Sequence, residues 1–145
     1  MINPVIVYHK DYLKYCIPNG WNNDDNEDGS VTLYNDEHGK GALTLSFYST
    51  IDENEFTPNS IISSAIRFAD KSKIDVEGNL ICRVSGKKTL LSFIGKDDEG
   101  WYVKYWSVAE FPRIVIATYY SEDDLDEIEI ADEIISSIEF IDEED

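Results

Sequence analysis

Residues 89–120 decide the fold, and they read TLLSFIGKDDEGWYVKYWSVAEFPRIVIATYY. Three segments of this stretch are rich in apolar and aromatic residues: Thr89–Lys96, Trp101–Ala109 and Arg113–Tyr120. The short separators, DDEG and EFP, have the composition of turns. Segments of strand length joined by short turns predict an antiparallel meander. Ile114–Tyr120 is apolar or aromatic nearly throughout, which predicts a central strand that is covered on both faces.

Further strands are predicted upstream of this meander. The segments VTLY (residues 31–34) and LTLSFY (residues 43–48) alternate apolar residues with Thr, Ser and Tyr. This period of two indicates two paired strands, each with one buried face. Residues 22–29, with the sequence NNDDNEDG, predict a polar loop. Shorter extended segments are expected at Val5–Tyr8, Tyr12–Ile17 and Leu80–Ser85.

Two amphipathic helices are expected. Pro58 stands at a first-turn position with Thr57 as its N-cap, and apolar residues then recur at helical spacing as far as Lys71. The second helix is expected to begin near Ser121 and to run over residues 122–138, with its first acids at the positive end of the helix dipole. Its apolar stripe comprises Leu125, Ile128, Ala131, Ile135 and Ile138, and Asp126, Glu127, Glu129, Asp132 and Glu133 are expected to point elsewhere.

The order of these elements predicts the fold class. A hairpin, a helix, a meander and a final helix give an α/β (α+β) sandwich, in which two main helices cover an antiparallel sheet of five to seven strands. The chain has the length of one domain, which we predict over residues 1–141, with an acidic tail at residues 142–145. The side chains expected in the core include Leu45, Phe47, Ile116, Ile135 and Ile138.

The element order and several motifs resemble the PsbP/Mog-like superfamily. Residues 17–21 (IPNGW) resemble its apolar–Pro–x–x–Trp entry, and residues 28–34 (DGSVTLY) with 41–46 (GALTLS) are similar to its first hairpin. Residues 134–140 (IISSIEF) resemble the end of its last helix. The resemblance implies a small bacterial domain with the sandwich of that superfamily. Its members range from photosystem subunits to Ran-binding proteins, so the resemblance implies a mostly non-enzymatic binding or accessory role without fixing a partner.

The acidity of the chain is concentrated at its C-terminal end. Thirteen of the last 24 residues are Asp or Glu and none is Lys or Arg, so residues 122–145 carry −13 of the net charge of −18. Such a field repels nucleic acid and acidic membrane surfaces and attracts basic proteins. No segment approaches the ~20 apolar residues of a membrane span, and no secretory signal is recognisable. We therefore expect a cytoplasmic protein that binds neither nucleic acid nor membrane.

One acidic segment, DDNEDG at residues 24–29, resembles a metal site. Asp24, Asn26, Asp28 and Gly29 occupy positions 1, 3, 5 and 6 of a calcium-loop pattern, but Asn35 stands where that loop requires a bidentate Glu. Such a pattern arises easily in a chain this acidic. We therefore interpret the segment as a solvated turn that leads into a strand, and we predict no bound metal.

Histidine and cysteine are sparse. His9 and His38 belong to no zinc-binding spacing, and no local signature supports a catalytic Cys–His pair. Cys16 and Cys82 form either a single disulfide or two buried reduced thiols, the second being typical of a cytoplasmic protein. No motif indicates a cofactor or a catalytic residue, and we predict neither.

Two groups of residues are candidates for binding a partner protein. Asp126, Glu129 and Glu133 lie on the polar side of the second expected helix, where they serve either solubility or the docking of a basic partner. Trp101 and Tyr105 lie on one face of their strand, where the rings belong either to the core or to an exposed aromatic platform.

Three classes of function follow from these features. The first is a non-catalytic binding module, for example an immunity-like or inhibitor protein that caps a basic partner such as a toxin nuclease. The second is an accessory or assembly protein that binds through an aromatic surface. The third is an enzyme whose site carries no recognisable motif. The acidic C-terminal end favours the first class.

Overall fold

The structure is a computed structural model, and it describes residues 1, 3–35, 41–122 and 127–141. Its helices are α1 (Pro58–Lys71) and α2 (Ile128–Ser136), with a short 3-10 helix at Glu53–Phe56. Its strands are β1 (Val5–His9), β2 (Leu13–Ile17), β3 (Asn22–Asp25), β4 (Val31–Tyr34), β5 (Gly41–Ser49), β6 (Asp75–Ser85), β7 (Lys88–Lys96), β8 (Tyr102–Glu110), β9 (Arg113–Ser121) and β10 (Glu139–Phe140).

Among the described residues, seven strands form the main sheet, in the order β3-β4-β5-β9-β8-β7-β6. Each of these neighbours pairs antiparallel, and β9 is the central strand, as the apolar run over residues 114–120 predicts. The predicted fold class is therefore confirmed: an α+β sandwich with two α-helices and an antiparallel sheet. A second sheet, in the order β1-β2-β10, accompanies the main one.

The two faces of the main sheet carry separate hydrophobic cores. On one face, α2 and the small sheet cover Leu33, Leu43, Leu45 and their neighbours. On the other face, α1 covers Phe93, Tyr105 and the residues around them. Each strand can serve both cores because successive side chains point to opposite faces.

Helix α1 has the predicted bounds and the predicted start. Thr57 Oγ1 accepts a hydrogen bond from the Ser60 backbone N–H at 3.2 Å, and Pro58 occupies the first turn. The cap satisfies a backbone donor that would otherwise lack a partner. The helix buries Ile61 and packs mainly on β6, β7 and β8, so it lies over one side of the sheet face.

The start of the last helix corrects the prediction made from sequence. Ser121 is the final residue of β9, where it pairs with Gly41 of β5 and Tyr102 of β8 and is fully buried. A backbone that pairs with strands on both sides cannot also begin a helix. Helix α2 therefore starts at Ile128, and Asp123, Asp124, Leu125 and Asp126 lie outside the described residues.

The chain reverses after α2 and returns as a strand that the sequence did not suggest. Ile138 is fully buried beyond the end of the helix, and Glu139–Phe140 pair with β2. Ser137 fixes this reversal, because its Oγ accepts a hydrogen bond from the Cys16 backbone N–H at 2.8 Å and donates one to the Ile134 carbonyl at 2.6 Å. Ser137 is the second serine of the motif IISSIEF, so this contact gives the motif a structural role.

Two further boundaries differ from the prediction. Residues 22–25 form β3, an exposed edge strand, within the stretch expected to be a polar loop. Strand β6 begins at Asp75, five residues before the predicted start at Leu80, and has an irregularity between Glu77 and Ile81. Both segments pair through their backbones while most of their side chains face solvent, so neither shows the alternation that reveals a strand.

Candidate functional site

Two of the three predicted docking acids lie on the exposed side of α2. Glu129 and Glu133 are solvent-exposed and four residues apart, so they are neighbours on the helix surface. Glu133 Oε2 lies 3.3 Å from the amino group of Met1. Asp126, the third acid, lies outside the described residues. The opposite side of α2 is anchored by Ala131, Ile134 and Ile135, which are buried, so the two acids stand on a fixed element.

Two other acids of this region point inward, which corrects the expectation that all of them face solvent. Asp132 Oδ1 accepts hydrogen bonds from Lys104 Nζ at 2.8 Å and from Trp106 Nε1 at 2.9 Å. Glu127 is buried, and its Oε1 accepts a hydrogen bond from the Tyr119 hydroxyl at 3.0 Å. These carboxylates join the α2 region to β8 and β9, and the side chain of Asp132 stays 42% exposed while its Oδ1 makes these bonds.

The predicted aromatic platform is wrong for Tyr105. Tyr105 is 1% exposed, and its ring stacks on Phe93 at 4.9 Å and contacts Phe68 at 5.0 Å between ring centroids. Burial raises the pKa of its hydroxyl to about 12. Trp101 is half-buried at the turn before β8, with its backbone N–H bonded to Asp97 Oδ1 at 2.9 Å. Because helix α1 covers this part of the sheet, the core interpretation holds for Tyr105.

A groove that the sequence analysis missed runs between α1 and the main sheet. Its volume is about 750 Å³, within the range of ~300–1,000 Å³ that small-molecule sites occupy. It forms because α1 lies mainly over β6, β7 and β8 and leaves the same face of β9 and β5 less covered. The sheet side of the groove contains Ser46 and Ser107, which flank Ile116 in register on the neighbouring strands.

The helix side of this groove is polar. Asn59, Ser60, Ser63, Ser64 and Arg67 line it, and Arg67 Nη2 donates a hydrogen bond to Ser64 Oγ at 3.1 Å. These residues recur at three- and four-residue intervals, which places them on one face of a helix. A polar stripe beside the buried apolar stripe was therefore visible in the sequence. What the sequence did not show is that the stripe faces a sheet.

The acidic loop uses its side chains to stabilise its own turn. Asp28 Oδ1 accepts hydrogen bonds from the Ser30 backbone N–H at 2.9 Å and from Ser30 Oγ at 2.6 Å, and these bonds lower the pKa of Asp28. Asn26 Nδ2 donates to Ser30 Oγ and Thr32 Oγ1. Asp24 Oδ2 accepts a hydrogen bond from the Tyr34 hydroxyl at 2.7 Å.

We expect calcium to leave the stability of the protein unchanged, because Asp28 Oδ1 already accepts hydrogen bonds from Ser30 and Asp24 Oδ2 accepts one from Tyr34. Thermal melts recorded with excess calcium and with a chelator should coincide. A calcium-dependent rise of several degrees in the melting temperature that disappears in Asp24→Ala would show that this prediction is wrong.

Histidine and cysteine contribute packing in the described structure. His9 stacks on Phe47 with ring centroids 3.7 Å apart, and burial, together with the nearby Lys10, lowers the pKa of His9. Cys16 and Cys82 are free thiols on different sheets, and both are half-buried rather than buried. His38 lies outside the described residues. Within the described part of the chain, no three His, Cys, Asp or Glu side chains are grouped as a metal site requires.

Comparison with known proteins supports the fold and assigns no activity. No protein-family model matches the chain, and no curated protein matches it. The solution structure of cyanobacterial PsbP (CyanoP) from Synechocystis sp. PCC 6803 is similar to this chain, with a TM-score of 0.71 and 13% sequence identity over 97% of this chain and 94% of that one. A crystal structure from Bacteroides thetaiotaomicron VPI-5482 is similar over 90% of this chain and 46% of that one, with a TM-score of 0.58 and 16% identity.

No helix among the residues that the structure describes is long and apolar enough to cross a membrane. The topology and the likeness to CyanoP agree with the resemblance noted from the sequence motifs. The chain has the PsbP-like fold.

Proposed function

We propose that this chain is a non-catalytic binding module of the cytoplasm that docks a basic partner protein on the exposed acids of α2. The observation that carries the proposal is the position of Glu129 and Glu133, which are exposed on a helix whose other side is buried in the core. The specific form that we propose is an immunity-like or inhibitor protein that caps its partner.

Electrostatics favours a cationic partner at this surface. Like charges four residues apart on a helix destabilise it by roughly 0.2–0.5 kcal/mol, and a partner's Lys or Arg placed between them removes that repulsion. In the sequence, residues 122–145 carry −13 of the net charge of −18, which makes this end of the chain strongly negative. Opposite potentials on two proteins accelerate their encounter and disfavour wrong partners.

The groove along α1 favours a second candidate function, an accessory or assembly protein. Tyr48 lines the groove with 56% of its surface exposed, and Phe68 lies on the helix side. Exposed aromatic residues are common anchors of binding surfaces. In this alternative the acids of α2 serve solubility, and binding occurs on the other face of the sheet.

The two candidates predict different outcomes of affinity capture from the native lysate. The baits are the wild-type protein, a variant with Asp126, Glu129 and Glu133 changed to Lys, and a control with Glu53, Asp70 and Glu99 changed to Lys. The control has the same change in charge at exposed positions away from α2. We expect the wild type and the control to retain a basic protein that moderate salt releases, and the variant with Asp126, Glu129 and Glu133 changed to Lys to lose it.

Retention of the same protein by all three baits would contradict docking on α2. A partner that is acidic, or that is lost only from the control, would do the same. Circular dichroism and thermal melts of the three baits should agree, because Glu129, Glu133 and the three control positions are exposed.

A further inference from the structure

We propose that the groove along α1 binds a small amphipathic anion, with an elongated apolar body and one carboxylate or phosphate-type group that pairs with Arg67. This inference goes beyond the docking function, because α1 and α2 pack on opposite faces of the main sheet. The proposal rests on the dimensions of the groove, the position of its apolar surface and the charges at its two ends.

The lining of the groove extends along both the sheet and the helix. On the sheet, the lining residues of β9 are Ile114, Ile116 and Thr118. At ~3.4 Å per residue, they span about 14 Å. On the helix, its lining runs from Asn59 to Arg67, and eight residues at ~1.5 Å each span about 12 Å. The lining therefore extends over a similar length on the sheet and on the helix, and an elongated ligand fits that length.

Apolar side chains lie in the groove and in the chain segments next to Thr50. Ile114 and Ile116 lie on its floor and Phe68 lines the helix side. Beside the lining residue Thr50, Ile51 is 90% exposed, and Phe111 is 47% exposed. The Thr50 backbone N–H bonds to the Pro112 carbonyl at 3.0 Å, which holds these two segments together. Exposed apolar side chains that border a groove are typical of a surface that receives an apolar ligand.

The charged groups of the groove stand at opposite ends of α1. Glu55 precedes the helix, and Arg67 is near its C-terminal end. Arg67 forms no ion pair with any residue that the structure describes, although the chain holds 30 acids and 12 bases. A guanidinium binds a carboxylate or phosphate through two parallel hydrogen bonds. The anionic end of the ligand therefore lies at Arg67, and Glu55 repels it from the other end of α1.

The net charge of the protein limits the ligand further. A chain that carries −18 repels a polyanion, so a nucleotide with several phosphates is disfavoured. A single negative charge is compatible with Arg67. The hydroxyls of Ser63 and Ser64 beside Arg67 supply additional hydrogen-bond donors for the same group.

Titration with decanoate tests this proposal, with decanol as the neutral molecule of equal chain length. We expect saturable binding of decanoate to the wild type by calorimetry. Arg67→Gln should weaken that binding by roughly tenfold or more, because it removes a charge-assisted pair. Lys71→Gln, one turn further along α1 and outside the groove lining, should leave it unchanged. Decanol should bind more weakly than decanoate, and equally to all three proteins.

A second pair of variants tests the location. Ser64→Trp places a large ring in the groove, whereas Ile66→Trp places the same ring on an exposed part of α1 that does not line it. We expect only Ser64→Trp to abolish decanoate binding. Equal affinity in the wild type and Arg67→Gln, binding that survives Ser64→Trp, or no saturable binding at millimolar decanoate would each overturn the proposal. None of these results bears on docking at α2, because the partner proposed for α2 is captured without this ligand.

Discussion

Leu45→Ala is expected to lower the free energy of unfolding by about 2–5 kcal/mol. Leu45 is fully buried in β5, where it pairs with Val31 on one side and Ala117 on the other. The substitution removes apolar contacts and leaves a cavity that close-packed neighbours cannot fill. Ile135→Ala should have a loss of the same size, because Ile135 of α2 is 1% exposed and packs on the same core.

Ile116→Ala is the matched comparison for these two substitutions, and urea denaturation measures all three. Ile116 and Phe47 were also expected in the core, but both are half-buried, and Ile116 lines the α1 groove. Truncation of a side chain beside an open groove creates no closed cavity. We therefore expect Ile116→Ala to lower the free energy of unfolding clearly less than Leu45→Ala does. Losses near zero for Leu45 and Ile135 would mean that the assignment of buried faces is wrong.

The second large effect is expected for Asp132→Ala, which should lower the free energy of unfolding by about 1–3 kcal/mol. Trp106 is 2% exposed, and its Nε1–H donates to Asp132. Lys104 Nζ bonds to the same carboxylate oxygen. Removing the carboxylate leaves a buried donor and a partly buried ammonium without their acceptor. This cost exceeds that of losing an exposed ion pair.

Glu133→Ala controls for the loss of a negative charge from α2. Glu133 is exposed, so we expect a change within about 0.5 kcal/mol. A double-mutant cycle of Asp132→Ala with Lys104→Met should show a coupling energy, since the two side chains are in contact. Equal stability of Asp132→Ala and Glu133→Ala in urea denaturation would contradict an internal role for Asp132.

The parts of the fold that the sequence predicted are those whose side chains pack in the hydrophobic cores. Side chains of strands β7, β8 and β9 pack in the cores on both faces of the sheet. These strands are therefore rich in apolar and aromatic residues, which predicts them from the sequence. Helix α1 was predicted with its correct bounds, because Thr57 and Pro58 mark its start and its apolar stripe is regular. Local sequence and tertiary packing agree at these elements.

The prediction failed where backbone pairing decides the structure. Strand β3 is an acidic edge with few buried side chains, and β10 contains only two residues. Ser121 is of a residue type that often caps helices, but its backbone pairs with β5 and β8 and keeps it in the sheet. Asp132 resembles the exposed acids on either side of it, and only the position of Trp106 beneath α2 shows that it bonds inward.

The candidate sites differ in how far the sequence could reveal them. Glu129 and Glu133 are exposed as predicted, because the apolar residues of α2 fix which side of the helix faces the core. The groove could not be predicted, since it depends on how far α1 extends across the sheet. Tyr105 was placed on the correct strand, but only the structure shows that Phe68 and Phe93 cover it.

The central claim is that the acids of α2 form the docking surface for a basic partner. The most direct test measures the association rate constant of the captured partner with the wild type and with the Asp126, Glu129 and Glu133 reversal variant, over a series of salt concentrations. We expect the wild-type rate to fall steeply as salt rises, because charges are screened over ~8 Å at physiological ionic strength. At low salt, the variant should associate roughly tenfold or more slowly and depend less on salt. Equal association rates for the two proteins at every salt concentration would contradict the claim and leave the acids of α2 with a role in solubility alone.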